Sequence, residues 1–212
     1  MELDADRRLA LAYVPARARP ALEALWRLDV TLGAILAGGR EREIGRIRLA
    51  WWREALERLD REPPPAEPVL RAVAAHGLPG AELAAMTGGW EELLAEGAPG
   101  EAALAHYAAA RGGALFRHSA RLLGDADHPV EAAGRRWALV DLARRSADPG
   151  EAASARAAAA REKGDARWPG PLRPLGMLAV LAARDLARGA PWEKQGAPAR
   201  MARMLRHRLT GR

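Results

Sequence analysis

Apolar residues recur at three- and four-residue steps along almost the whole chain, and no useful length alternates apolar with polar. That period marks amphipathic helices rather than strands. Residue choice agrees: Ala, Leu, Arg and Glu dominate while Val, Ile and Thr are scarce, a helix-former composition. Gly and Pro punctuate the pattern. The clearest break is Arg61-Glu-Pro-Pro-Pro-Ala-Glu-Pro68, a stiff connector over 61–68 that cannot be helical inside. Further breaks fall at Gly38-Gly39, 77–80, 97–100, 124–129, 148–150, 168–174 and 189–198. Helices are therefore expected at 4–13, 18–37, 41–60, 66–76, 80–95, 100–123, 128–146, 150–162, 171–188 and 197–209. The expected architecture is an all-α, single-domain helical bundle spanning 1–212, with about eight to ten helices. The connector is too short to suggest two independent cores.

Individual segments carry finer expectations. In the helix at 41–60, Ile44, Ile47, Trp51, Ala55 and Leu59 make one buried stripe, which Leu49, Trp52 and Leu56 widen. The stretch Glu151 to Lys163 is almost pure Ala and Arg, with helix propensity but little to bury, so a marginal or partly mobile helix is expected. Gly112-Gly113 interrupts a helical pattern. It suits tight helix–helix packing or a local kink better than close approach of a ligand. The C-terminal helix is basic and amphipathic. Met201, Met204, Leu205 and Leu209 form its apolar face, and Arg200, Arg203 and His207 line another. Such a helix closes a bundle and leaves its arginines in water; docking on anionic lipid or nucleic acid is the alternative.

Composition excludes several chemistries. The absence of Cys removes disulfides, thiol nucleophiles, iron–sulfur clusters and cysteine-ligated zinc. The five histidines, His76, His106, His118, His128 and His207, show no metal-ligand spacing and read as surface or helix-end residues, so no metal site is expected. Serine occurs only at 119, 146 and 154, outside any nucleophile elbow, and no phosphate-binding glycine loop is present. The charge is +6, from 33 basic and 27 acidic residues, and all but two of the basic residues are arginine. That bias permits anionic partners without choosing one. A nucleic-acid partner is disfavoured because no aromatic residues interleave the basic C-terminal stretch. No segment approaches the ~18 apolar residues of a membrane span, and the N-terminus is acidic where a signal peptide would be basic. The expected location is the cytoplasm, with or without a peripheral contact to the inner membrane.

Two stretches carry a family resemblance. They are Pro15-Ala-Arg-Ala-Arg-Pro-Ala-Leu-Glu-Ala-Leu-Trp26 and Glu43-Ile-Gly-Arg-Ile-Arg-Leu-Ala-Trp-Trp-Arg-Glu-Ala-Leu56. Together they resemble the squalene/phytoene synthase family. Tyr107-Ala-Ala-Ala-Arg-Gly-Gly-Ala-Leu, Gly134 to Arg144, and Trp168-Pro-Gly-Pro-Leu-Arg-Pro-Leu follow in family order. The resemblance is strongest over 15–60 and thinner after 145. It implies an isoprenoid-synthase-type bundle with a central cavity, truncated relative to full synthases after residue 145. Active members condense two prenyl diphosphates head to head. Two aspartate-rich motifs on facing helices hold the Mg²⁺ that grips the diphosphate.

Against that pattern this chain lacks its acidic motifs. Val30 to Ala37 holds no carboxylate, and Asp29 falls before the place of the first motif. At the second, Arg145 stands where aspartate is expected, leaving Asp141 and Asp148. The resemblance therefore implies a degenerate, non-catalytic member similar to the complex I assembly-factor branch: a pseudoenzyme needing no cofactor, with a protein partner or prenyl lipid. The alternative is a divergent prenyltransferase that uses Mg²⁺ through Asp29, Asp141 and Asp148. A plain nucleic-acid-binding module is the third reading, supported only by the high pI. For ligand contacts the resemblance points to Arg48, Trp52, Tyr107 and Arg144, around a space enclosed by the helices at 18–37, 41–60, 100–123 and 128–146. Arg48 and Arg144 would be its anion anchors. The bland reading of Arg48, Trp51 and Trp52 is bundle packing.

Overall fold

The computed structural model describes residues 2–37, 42–164 and 167–212. The break at Gly38-Gly39 and the helix start at Glu41 lie outside the described residues. Helices account for the regular structure: α1 (Ala5–Ala12), α2 (Arg19–Ala37), α3 (Arg42–Arg58), α4 (Pro68–Ala75), α5 (Gly80–Glu91), α6 (Glu101–Tyr107), α7 (Ala114–Leu122), α8 (Glu131–Arg145), α9 (Pro149–Arg161), α10 (Arg173–Arg188) and α11 (Pro198–Thr210). A π-helical segment, Ala108–Gly113, joins α6 to α7 in one continuous rod. No strand occurs among the described residues. The all-α expectation holds.

Three starts are capped by side chains. Asp4 accepts from the Arg7 amide, Glu67 from Val69 and Leu70, and Asp148 from Glu151. Pro68 and Pro149 sit at the first helical positions, where a missing N–H costs nothing. That is why α4 begins at Pro68 rather than two residues earlier. The α5 start is capped from a distance, because Asp60 accepts from the amides of Gly80 and Ala81 at 2.8 and 2.9 Å. The buried apolar side chains form one contiguous cluster running from Leu3 to Met204. Trp26 lies at its heart, fully buried, with its indole N–H donating to Ser119 Oγ at 3.1 Å. Helix α8 is buried on nearly all sides, packing on α9, α10 and the π segment.

Four expectations are corrected. In α3 the buried face is Gly45, Leu49, Trp52, Ala55 and Leu56. Ile44, Ile47 and Trp51 are instead 50%, 62% and 45% exposed. The cause is the fit against α5 and its following turn. A Cβ at Gly45 would sit 3.1 Å from Leu94, and one at Gly80 would collide with the Leu56 carbonyl. The small residues set the inner face, and the larger ones one step away turn outward. Second, the Ala-rich α9 is not marginal. Ala155, Ala158 and Ala159 are buried, because small side chains let α9 lie close on α8. Arg135 and Arg136 bind Glu162 at its end.

Third, α11 is rotated relative to its apolar pattern. Arg200, Met204 and His207 are buried, while Met201 and Leu209 are exposed. Arg200 turns inward because two carboxylates await it: Asp6 of α1, at 2.7 Å, and Asp185 of α10, at 2.6 Å. Fourth, His118 and His207 are interior rather than surface residues. The packing reading of the glycine pair agrees with the structure. A Cβ at Gly112 would strike the Gly134 carbonyl, and one at Gly134 would strike that of Gly112. No described helix is long and apolar enough to cross a membrane.

Candidate functional site

The Gly112–Gly134 crossing draws the π segment onto α8 backbone to backbone. It thereby brings Arg111, one residue before Gly112, to Asp141, two turns beyond Gly134. Helix α2 supplies Asp29 from the other side. Arg111 Nε donates to Asp29 Oδ1 at 2.8 Å, and Nη2 donates to Asp29 Oδ2 at 3.1 Å and to Asp141 Oδ2 at 2.7 Å. Its Nη1 donates to the Tyr107 hydroxyl, one turn earlier on the same rod. The second oxygen of each carboxylate is also engaged. Arg7 of α1 donates to Asp29 Oδ2, and Arg145 Nε donates to Asp141 Oδ1 at 2.9 Å. Aromatic rings close around the guanidinium, with centroids at 4.3 Å for Trp90 and 4.8 Å for Trp137.

The electrostatics follow from this geometry. Burial by itself raises the pKa of both carboxyls, but Arg111 with Arg7 outweighs it at Asp29, and Arg111 with Arg145 at Asp141. Both acids are held below the usual carboxylate range. Burial likewise opposes the Arg111 charge, and the Asp29, Tyr107 and Asp141 fields overcome it. Burial pushes the Tyr107 phenol well up, so it stays protonated. Both carboxylates of the centre are thus held in their charged form by the arginines around them.

A cavity of about 400 Å³ opens beside this centre, within the size range of small-molecule sites. One side is apolar, formed by Val30, Ala34 and Leu36 of α2, with Trp90, Leu93 and Leu142. The other is polar, with Arg7, Asp29, Tyr107, Arg111, Arg145 and Glu151. A second cavity, of about 30 Å³, lies behind it among Asp6, Arg144, Asp185 and Arg200.

The expected site residues divide. Asp29 and Asp141 come together through Arg111, and Tyr107 lines the cavity. Asp148 does not join them. It faces solvent as the cap of α9, with 2.7 Å between its carboxylate and the Glu151 amide. Arg48 is exposed on α3, on none of the cavity walls described, and makes no ion pair among the described residues. Trp52 is core packing, edge-on to Trp51 at 5.5 Å. Arg144 belongs to the smaller cavity, donating to Asp185 at 2.9 Å and to the Glu193 carbonyl at 2.7 Å. Helix α3 does not wall the larger cavity; α5 and the turn after it take that place through Trp90 and Leu93.

Arg7, Trp90 and Arg111 were missed by the sequence reading. For Arg111 a signal existed. It stands in an apolar helical stretch just before a glycine pair, with no acid three or four residues away on its own helix. An arginine so placed must find its counter-charge on another element.

The resemblance to prenyl-condensing enzymes calls for Mg²⁺, and the residues can be tested for fit. Mg²⁺ requires carboxylate oxygens free to enter a tight octahedral shell. Here both oxygens of Asp29 and of Asp141 already accept guanidinium hydrogen bonds. Among the described residues no cluster of three or more His, Asp or Glu is placed to hold a metal ion. The site does not fit the ion.

Comparison with known proteins bears on the fold. No curated protein and no solved structure matches the chain. The family model described as squalene/phytoene synthase matches residues 2–157, which includes α1, α2, the π segment, α8 and every residue of the Asp29–Arg111–Asp141 bridge. With well over half its length matched, and an all-α bundle to match, the chain belongs to the squalene/phytoene synthase family.

Proposed function

We propose that this chain is a non-catalytic member of its family that acts as a binding or assembly factor. One observation carries the reading: a guanidinium, Arg111, bridges Asp29 on the cavity wall to Asp141 beside it. Opposite charges at 2.7–2.8 Å in a water-poor interior leave those carboxylates no capacity to hold a metal diphosphate. Diphosphate departure then lacks its electrophilic support. What remains is a shaped, partly apolar cavity and a bundle surface, both suited to binding. The partner is a prenyl lipid or a protein. The likeness of the Glu43–Leu56 stretch to the assembly-factor branch favours a membrane respiratory complex as the client. Such a role needs no cofactor and places the protein in the cytoplasm, in peripheral contact with the inner membrane.

The test is turnover. Purified protein, folded by circular dichroism, is mixed with Mg²⁺ and farnesyl or geranylgeranyl diphosphate. Pyrophosphate and condensed hydrocarbon are then measured. No release above a protein-free control is the expected result. Sustained release would overturn the reading and restore the prenyltransferase alternative.

A further inference from the structure

The cavity beside Arg111 has a charge balance and a hydrogen-bonding character that together define a ligand class. Three arginines reach it: Arg7, Arg111 and Arg145. Three carboxylates answer them. Asp29 and Glu151 line the cavity, with Ser146 Oγ donating to Glu151, and Asp141 pairs with Arg111 and Arg145 from outside the lining. Asp4 adds a fourth acid 3.6 Å from Arg7 Nε. Counted with their ion-pair partners outside the lining, Asp141 and Asp4, the three arginines are fully matched and offer no surplus positive charge. A multiply charged anion would lose its hydration there without gaining a counter-charge, which is costly in a low-dielectric interior.

The polar groups left over are donors. Trp90 lines the cavity, and its Nε1 is buried with no acceptor among the described residues. Arg7 lines it too, and its Nη1 is likewise buried without an acceptor. The Tyr107 hydroxyl accepts from Arg111 and keeps its own proton to give. Buried donors without acceptors are rare in native proteins and call for a partner. The remainder of the wall, from Val30 to Leu36 and at Leu93 and Leu142, is apolar.

We infer that this cavity binds an uncharged, largely apolar molecule carrying a hydrogen-bond-accepting oxygen, of the ketone or quinone type. It does not bind a prenyl diphosphate. Arg111 occupies the place between the carboxylates that a metal would need, and by doing so it reverses the charge preference of the site. The inference rests on the non-catalytic reading and gives that reading a ligand class.

The experiment compares two probes with the same chain and different heads, geranylacetone and geranyl diphosphate, the latter with and without Mg²⁺. Binding is read by intrinsic tryptophan fluorescence, since Trp90 is in the wall, and by thermal shift. The expected result is saturable binding and a raised Tm with the ketone, and neither with the diphosphate at tenfold higher concentration. Tyr107→Phe should weaken ketone binding about fivefold, the worth of one neutral hydrogen bond. Ala34→Phe, which fills the apolar side, should abolish it. Diphosphate binding as tight as the ketone's, or no ketone binding at all, overturns the inference. So does full ketone binding by a folded Ala34→Phe protein. Pyrophosphate is measured in the same samples: diphosphate bound without release sinks this inference alone, whereas release also sinks the non-catalytic reading.

Discussion

The interior holds two arginine-centred bridges built alike, and only one of them faces a cavity large enough for a ligand. In the first, Arg111 joins Asp29 of α2 to Asp141 of α8. In the second, Arg200 joins Asp6 of α1 to Asp185 of α10, and Arg144 adds a third contact. Helix α1 serves both, through Arg7 in one and Asp6 in the other. The first borders about 400 Å³ of space and the second about 30 Å³, room for little more than a water. Buried ion pairs alone would nominate either as a functional site. Space distinguishes them. The second bridge fastens the two ends of the chain together, and the first stands at the wall of a site.

Breaking each hub should separate these roles. Arg111→Met and Arg200→Met each strand buried carboxylates, at an expected cost of about 3–5 kcal/mol in urea unfolding. Arg111→Met should fall at the upper end, since it also loses the stacking on Trp90 and Trp137. Only Arg111→Met should alter fluorescence responses to cavity ligands. If Arg200→Met abolished them in a folded protein, the two bridges would not be separable.

A smaller effect tests the glycine crossing that positions Arg111. Gly112→Ala puts a methyl against the Gly134 carbonyl, and about 1–3 kcal/mol of destabilisation is expected from overpacking. The equivalent change at Gly100, where a Cβ meets nothing within 4 Å, should leave the unfolding midpoint nearly in place.

Acid should act next, away from both hubs. Burial first, and then the Arg117 charge, lower the His118 pKa from 6.5 to about 4. Burial lowers that of His207 as well. The unfolded chain takes up these protons before the folded one does. Stability is therefore full above pH 6.5 and falls as the pH drops toward about 4. A loss of about 1–2 kcal/mol is expected across that window, and His118→Gln should flatten the slope. The Arg111 bridge should survive it, because its carboxylates protonate only below their ordinary range. Smallest of all, Ile47→Ser on the exposed face of α3 should change stability by no more than about 0.5 kcal/mol. Trp52→Ala, five residues on but buried, should cost about 3–5 kcal/mol.

Local chemistry was legible in the sequence. The helices at 18–37, 128–146 and 171–188 were predicted to within a few residues, because the apolar period and the Gly and Pro breaks act within a turn or two of the chain. The inward side of a helix was less legible. In α3 and α11 the apolar stripe pointed one way and the packing another, since the face a helix buries depends on what waits across the gap. Gly45 and Gly80 decided it for α3, and Asp6 and Asp185 for α11.

The same division applies to the site. The sequence determined the family pattern, the absence of thiol and metal-histidine chemistry, and the survival of Asp29 and Asp141 without a full acidic motif. Only the tertiary structure decided that these two carboxylates share one guanidinium, that Arg48 lies outside, and that Trp90 and Arg7, residues of the neighbouring cavity's wall, carry buried donors without acceptors. Arg111 and Asp29 are 82 residues apart. No local periodicity links residues at that separation, because a buried charge is matched by whichever opposite charge the fold brings within hydrogen-bonding distance.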